Sequence, residues 1–383
     1  MDSKLPYIDR ILDLKNLLRE KSYFLFGPRQ TGKSSLIEHC FPSARIYNLL
    51  DNGLYHDFNT RPGRLKEEIR STDELVIIDE IQRIPELLNE VHLLIEERGT
   101  RFLLTGSSAR KLRSKGINLL GGRARMAHLH PFVTAELKNN FSLDRALNTS
   151  LLPSIYFSNN PKEDLKSYVG SYLKNEIAAE ALTRNVPAFS RFLTVAALCN
   201  AQMVNFTNVA NDAQVKRTTV YDYFEILKDT LLIRELPAFL KGRHRKPINS
   251  SKYYFFDIGV ARQLQGREAF TPGTTEFGDA FETFIVNEVF AFKDYLRDLN
   301  LTFWRSNSGF EVDLIIDDHT AIEIKGKQHV SNDDLQTLKA IAEEHSFKQF
   351  YCVCLEQRPR KVGNIDIIPY QDFLNKLWLG TII

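Results

Sequence analysis

The sequence predicts an α/β chain in three parts, and three observations carry that reading. From residue 23 to about 130, short apolar runs alternate with polar segments of helical period, the pattern of a parallel sheet covered by helices. From about 165 to 240 the pattern is helical throughout, and beyond the polar, basic run KGRHRKPINSS (residues 241–251) it returns to mixed helix and strand. The predicted boundaries are 1–150, 151–250 and 251–383.

Each candidate strand of the first part, Tyr23–Phe26, Ala44–Leu49, Leu75–Ile78, Arg101–Thr105 and Met126–Leu129, is a nearly continuous apolar run, as strands buried on both faces require. The first runs directly into Gly27-Pro28-Arg29-Gln30-Thr31-Gly32-Lys33-Ser34, followed by Ser35 and an apolar helical stretch. The spacing is that of the G-x-x-x-x-G-K-[ST] phosphate loop. Glycines let the backbone wrap a phosphate closely, and the amides at the start of the helix supply donors and a positive dipole end. Gly27 through Ser35 are therefore the expected ATP contacts, with Lys33 on the β- and γ-phosphates and Ser34 on Mg²⁺. The competing reading is an ordinary turn.

Such a site needs a carboxylate for the metal and a base for the attacking water. Leu75-Val76-Ile77-Ile78-Asp79-Glu80 places both at the carboxyl end of a strand, where open α/β sheets bind their ligands. Asp79 is expected to hold Mg²⁺ and Glu80 to polarise water, unless the pair merely caps the helix that follows. Arg101–Ser108 is a further strand with a hydroxyl-bearing tip, and Thr105 and Ser107 are assigned to sensing the γ-phosphate. Arg123, in GGRAR, is read either as a finger that neutralises transition-state charge, with the homo-oligomer such fingers imply, or as a surface arginine.

Composition bounds the remaining possibilities. The 383 residues carry 50 basic and 48 acidic side chains, a net charge of +2. There is thus no global pull toward nucleic acid or anionic membrane, and any such partner has to meet a local patch. No run approaches the ~20 apolar residues of a membrane span, and the acidic amino terminus lacks the apolar core of a signal peptide. Four scattered cysteines suit a reducing cytoplasm. Cys352 and Cys354 alternate in YCVCL and should share one buried face of a strand.

In the middle part, Phe206–Ala210 and Val215–Leu227 read as a helix-turn-helix with Val220, Phe224 and Leu227 facing the core. That leaves Lys216, Arg217 and Thr219 at the start of the second helix, where DNA contacts are made. The following basic run would form a wing, with Lys241, Arg243, Arg245 and Lys246 near phosphate. The alternative is a module that only packs against the rest of the chain, its basic tip solvated.

In the last part, Glu311-Val312-Asp313 and Glu323-Ile324-Lys325 flank a short polar turn. Period-two alternation puts Glu311 and Asp313 on one face, and Glu323 with Lys325 on one face of the next strand, so Asp313 should stand nearly opposite Glu323. Two facing carboxylates suit a second Mg²⁺ or an Mn²⁺, with Lys325 orienting water or stabilising developing charge. A salt-bridged arrangement, Glu323 with Lys325 or Arg305, satisfies the same pattern without a metal.

With these residues identified, the sequence resembles a prokaryotic AAA-type ATPase family whose carboxyl-terminal part is a domain of unknown function. The matching stretches are FLFGPRQTGKSSLI, LVIIDEIQRIPELL, RFLLTGSSARKL, GGRARMAHLHPFVTAEL, KYYFFDIGVARQLQG and FGDAFETFIVNEV. The resemblance implies a P-loop NTPase (AAA+-like) domain, a helical winged-helix segment and a nuclease-like end. The Asp313, Glu323, Lys325 pattern is similar to that of the PD-(D/E)xK nuclease superfamily. Glu282 matches its helical acid, while Val312 departs from the proline often found there. The expectation is a Mg²⁺-dependent ATPase acting on DNA with a possible metal-dependent nuclease, or alternatively a nucleotide-switched interaction protein whose nuclease-like domain is inert.

Overall fold

The computed structural model describes residues 7–108, 110, 112, 120–173, 185–241, 245 and 247–382. The chain divides into two compact units, Met1–Phe132 with Asp229–Leu231, and Val133–Lys228 with Leu232–Ile383. The segments expected as separate middle and carboxyl-terminal parts thus lie in one unit.

The first unit is built on five strands: β1 (Ser22–Phe26), β2 (Arg45–Asn48), β3 (Leu75–Asp79), β4 (Arg101–Gly106) and β5 (Ala124–His128). They form a wholly parallel sheet in the order β2-β3-β4-β1-β5. All five residues of β1 are buried, as its unbroken apolar run requires. Phe24, Phe26, Ile78 and Leu104 from the strands pack with Val91 and Leu94 of the helix Leu87–Arg98. Because β4 lies between β1 and β3, the loop after β1 and the acids ending β3 flank the tip of β4.

The second unit opens with helices and a two-stranded antiparallel ribbon, β6 (Ile233–Leu236) with β7 (Lys252–Phe255). It ends in a six-stranded sheet comprising β8 (Leu301–Arg305), β9 (Glu311–Ile316), β10 (Thr320–Lys325), β11 (Gln349–Cys354), β12 (Arg360–Val362) and β13 (Ile365–Pro369). The order is β12-β13-β11-β10-β9-β8. β8, β9 and β10 form an antiparallel meander, whereas β10, β11 and β13 run parallel. Cys352 and Cys354 share one core cluster, as their alternation predicts.

The helix pair of the middle part forms as expected. Asn205 caps Phe206–Ala213 by accepting from Thr207 and Asn208 amides, Gln214 turns the chain in a left-handed conformation (φ 55°), and Arg217–Asp229 follows. Val220, Phe224 and Leu227 are buried. The expected wing takes a different course. The connection between β6 and β7 runs beside β8: Phe303 N donates to Pro237 O (3.0 Å), Phe239 N to Phe303 O (2.6 Å) and Ile248 N to Arg305 O (2.9 Å). Backbone groups at the outer edge of a sheet need partners, and this connection supplies them. No helix among the described residues is long and apolar enough to cross a membrane.

Candidate functional site

The glycine-rich loop leaves the carboxyl end of β1 and turns through two left-handed residues, Gln30 (φ 62°) and Gly32 (φ 92°), into the helix Lys33–Cys40. Close approach makes Gly27 obligatory, since a Cβ there would lie 2.5 Å from Leu129 O. Thr31 Oγ1 donates to Pro28 O (2.9 Å) across the loop. Lys33 is buried, and its Nζ donates to Gly27 O (2.6 Å) and Pro28 O (3.1 Å), so the ammonium is held over the loop. The next two side chains, Ser34 and Ser35, are exposed. Arg10 braces the turn from outside, Nη1 donating to Thr31 O (2.7 Å) and Nη2 to His130 O (2.6 Å). Nothing in the local sequence marks Arg10, which acts across 21 and 120 residues of chain.

Asp79 and Glu80 end β3, beside the tip of β4. Thr105 Oγ1 donates to Asp79 Oδ1 and accepts from Glu80 N at 3.4 Å, which fixes the two acids with respect to each other. Glu80 itself is left-handed (φ 61°), a conformation that costs a non-glycine residue roughly 1 kcal/mol and concentrates at functional positions. The rival helix-capping role fails. Neither the short turn Ile81–Arg83 nor the helix Leu87–Arg98 has a side-chain cap. Gln82, unremarked in the sequence, links Glu80 to the expected sensor Ser107: its Nε2 contacts Glu80 Oε2 and lies 3.3 Å from Ser107 Oγ. A Cβ on Gly106 would stand 2.4 Å from Gln82 Oε1, so the glycine makes room for that link.

Lys33, Ser34, Asp79, Glu80, Thr105 and Ser107 therefore all belong to the carboxyl ends of neighbouring parallel strands. Arg123 does not. It precedes β5 where Ala124 pairs with Ser22, at the amino ends of the strands, and its Nε pairs with Glu96. A five-residue strand spans roughly 17 Å, so Arg123 does not reach the phosphate loop of its own chain.

In the second unit the structure brings Glu282, Glu311, Asp313, Glu323 and Lys325 together, with one residue the sequence did not disclose. Lys252 of β7, 2% exposed, extends its Nζ to within 2.9 Å of Glu282, 2.5 Å of Glu311 and 3.6 Å of Asp313. Tyr254 Oη donates to Glu282 (2.7 Å), and Arg305 pairs with Glu311 (2.9 Å) rather than with Glu323. The hairpin register of β9 with β10 leads Asp313 beside Glu323, and Asp313 Oδ2 accepts from Ile324 N (2.8 Å). Lys325 bonds Glu323 (2.5 Å). Burial, reinforced by the charge of Asp313, raises Glu282 and Glu323 well above the ordinary carboxylate range. Burial acts to strip the proton from Lys252, but the carboxylates around it prevail and hold it as an ammonium. Among the described residues no group of three or more His, Cys, Asp or Glu is disposed to hold a metal ion.

The expected DNA contacts divide into two groups. Lys216 and Arg217 are exposed and Thr219 half-buried at the start of their helix. The guanidinium of Arg245 bonds Glu344 (2.8 Å) and Glu343 (2.7 Å). Lys241 likewise pairs with Asp318. Arg243 and Lys246 lie outside the described residues.

Residues 19–138 match a family model described as an AAA domain, and the first unit accordingly has an AAA-type P-loop ATPase fold. Residues 140–271 and 277–373 match two domains of unknown function, DUF8612 and DUF4143. The uncharacterized proteins Rv2008c of Mycobacterium tuberculosis and Mb2031c of Mycobacterium bovis are each 25% identical over 314 residues, 79% of this chain and 68% of theirs. Among solved structures, the Walker-type ATPase PABY2304 of Pyrococcus abyssi is 16% identical with a TM-score of 0.45, covering 66% of this chain and 93% of its own. A replication initiator DnaA bound to AMPPCP and single-stranded DNA is 14% identical with a TM-score of 0.29, covering 56% and 85%.

Proposed function

We propose that the chain is a Mg²⁺-dependent ATPase whose nucleotide state controls the second unit. The observation that carries this reading is the joint placement of Lys33 and the Asp79–Glu80 pair at the carboxyl ends of β1 and β3, with Thr105 bonded to both acids between them. The amides of Gly27–Ser34 cradle the triphosphate, and Lys33 moves from the loop carbonyls to the β- and γ-phosphates. The hydroxyl of Ser34 and the carboxylate of Asp79 are hard oxygen donors of the kind magnesium takes, and the ion supplies neutralisation of phosphate charge. Glu80 orients and polarises the attacking water, with Gln82 and Ser107 positioning its carboxylate. Arg123 serves transition-state charge only in a neighbouring copy of the chain.

The second unit offers DNA the exposed Lys216 and Arg217, with Thr219, at the start of a helix, in the manner of a winged helix. Its hairpin with Asp313, Glu323 and Lys325 keeps the outline of a PD-(D/E)xK site, yet Lys252 among the carboxylates favours the reading in which this part docks rather than cuts.

Phosphate release and nucleotide affinity test the core of the proposal. Lys33→Ala should lose ATP binding, whereas Glu80→Gln should keep it and lose turnover by about 10²–10⁴-fold, the usual contribution of a general base. Wild-type affinity and turnover in both variants would overturn the assignment.

A further inference from the structure

The superfamily outline implies a divalent metal between Asp313 and Glu323, with Glu282 as the helical ligand. The residues present do not fit one. Where such an ion would gather carboxylate oxygens, the ammonium of Lys252 gathers them instead, within 2.9 Å of Glu282, 2.5 Å of Glu311 and 3.6 Å of Asp313. We infer that Lys252 is the resident cation of this cluster, a covalently attached substitute for the metal, and that the second unit holds no divalent ion there and hydrolyses no phosphodiester through it.

Charge and solvation both support the inference. Lys252, Arg305 and Lys325 supply three positive charges against the four acids Glu282, Glu311, Asp313 and Glu323, and each of the three bonds at least one of them. A buried ammonium is tolerated only when its protons meet acceptors, and the carboxylates provide them. For a hydrated divalent ion to enter, Lys252 would have to leave, yet its side chain is 2% exposed with an aromatic ring, Phe303 of β8, 5.5 Å from its Nζ. Lys325 in turn is bonded to Glu323. The inference stands on this cluster alone and is independent of the ATPase reading.

The full-length, nucleotide-free protein tests it with Mn²⁺ as the probe, uptake being followed by the loss of the aqueous Mn²⁺ electron paramagnetic resonance signal. Wild type and Asp313→Asn should titrate alike. Lys252→Ala should take up one additional equivalent, which a further Asp313→Asn removes, and Mn²⁺ should raise the melting temperature of Lys252→Ala but not that of wild type. Uptake by wild type that Asp313→Asn abolishes would overturn the inference, as would a folded Lys252→Ala protein that gains no site. If the alanine variant does not fold, Lys252→Gln, which keeps the side-chain volume, takes its place, and the comparison of wild type with Asp313→Asn stands regardless.

Discussion

Glu288 lies at the middle of the helix Thr275–Tyr295, 2% exposed. It accepts from Thr134 N (2.8 Å), Thr134 Oγ1 (2.8 Å) and Trp378 Nε1 (2.7 Å). Burial pushes its pKa from the ordinary 4.5 up to about 7 in spite of these three donors, with Glu136 adding to the rise. Between those values the folded chain keeps a proton that the unfolded chain releases, so stability falls as pH rises through the window. At ~1.4 kcal/mol per pH unit the whole effect is roughly 3 kcal/mol, of which about 2.5 kcal/mol falls between pH 5 and 8. Glu288→Gln removes the titration. Its amide places a donor against one of the three donors, a constant cost of about 1–3 kcal/mol that does not affect the slope. Asp257, Asp279, Glu282 and Glu323 are also raised, chiefly by burial, and they titrate in both proteins, so their effects cancel in the difference. Urea unfolding at pH 5, 6, 7 and 8 provides the measurement. Trp304 and Trp378, the only tryptophans, both lie in the second unit, so emission reports that unit directly. The stability of wild type relative to Glu288→Gln should fall by about 2.5 kcal/mol over this range; a difference that stays constant would refute the reasoning.

Two further substitutions probe packing and charge. Gly259→Ala would set its Cβ 1.6 Å from Thr149 O, a backbone atom unable to retreat, and should cost about 3 kcal/mol in the same urea titration; an unchanged midpoint would contradict the contact. Arg245→Ala leaves the fully buried Glu344 without its partner and should lower the urea midpoint while leaving the salt dependence of DNA binding unchanged, whereas the double change Lys216→Ala, Arg217→Ala should lower that slope by about 2. The reverse pattern would restore the wing to the DNA interface.

The first unit was legible because its signals are local. Phe24-Leu25-Phe26 and Val76-Ile77-Ile78 announce strands covered on both faces, and each runs directly into the residues that carry the chemistry. The helix pair around Gln214 was readable for the same reason, as was the adjacency of Asp313 and Glu323 across a short hairpin. What escaped the sequence depends on partners distant along the chain. Arg245 reads as a phosphate ligand in a basic run, and only folding reveals Glu344, 99 residues away, against it. Lys252 sits in KYYF, where a lysine looks like a solvated strand position, and nothing nearby signals that Glu282, Glu311 and Asp313 converge on it. Gln82 and Arg10 were invisible because an amide or a guanidinium bonded to loop atoms leaves no periodic trace.

The connection between β6 and β7 has a bearing on self-association. One border of the six-stranded sheet is β8, where Phe303 and Arg305 exchange backbone hydrogen bonds with Pro237, Phe239 and Ile248. The opposite border is β12, three residues long, with Arg360 and Lys361 exposed on it. A long bare strand would offer a second molecule a template for continuing the ladder, and a covered border facing a short cationic one offers none. Copies of this chain are thereby discouraged from polymerising edge to edge, with Pro237, Phe239 and Ile248 serving as a selvedge along β8.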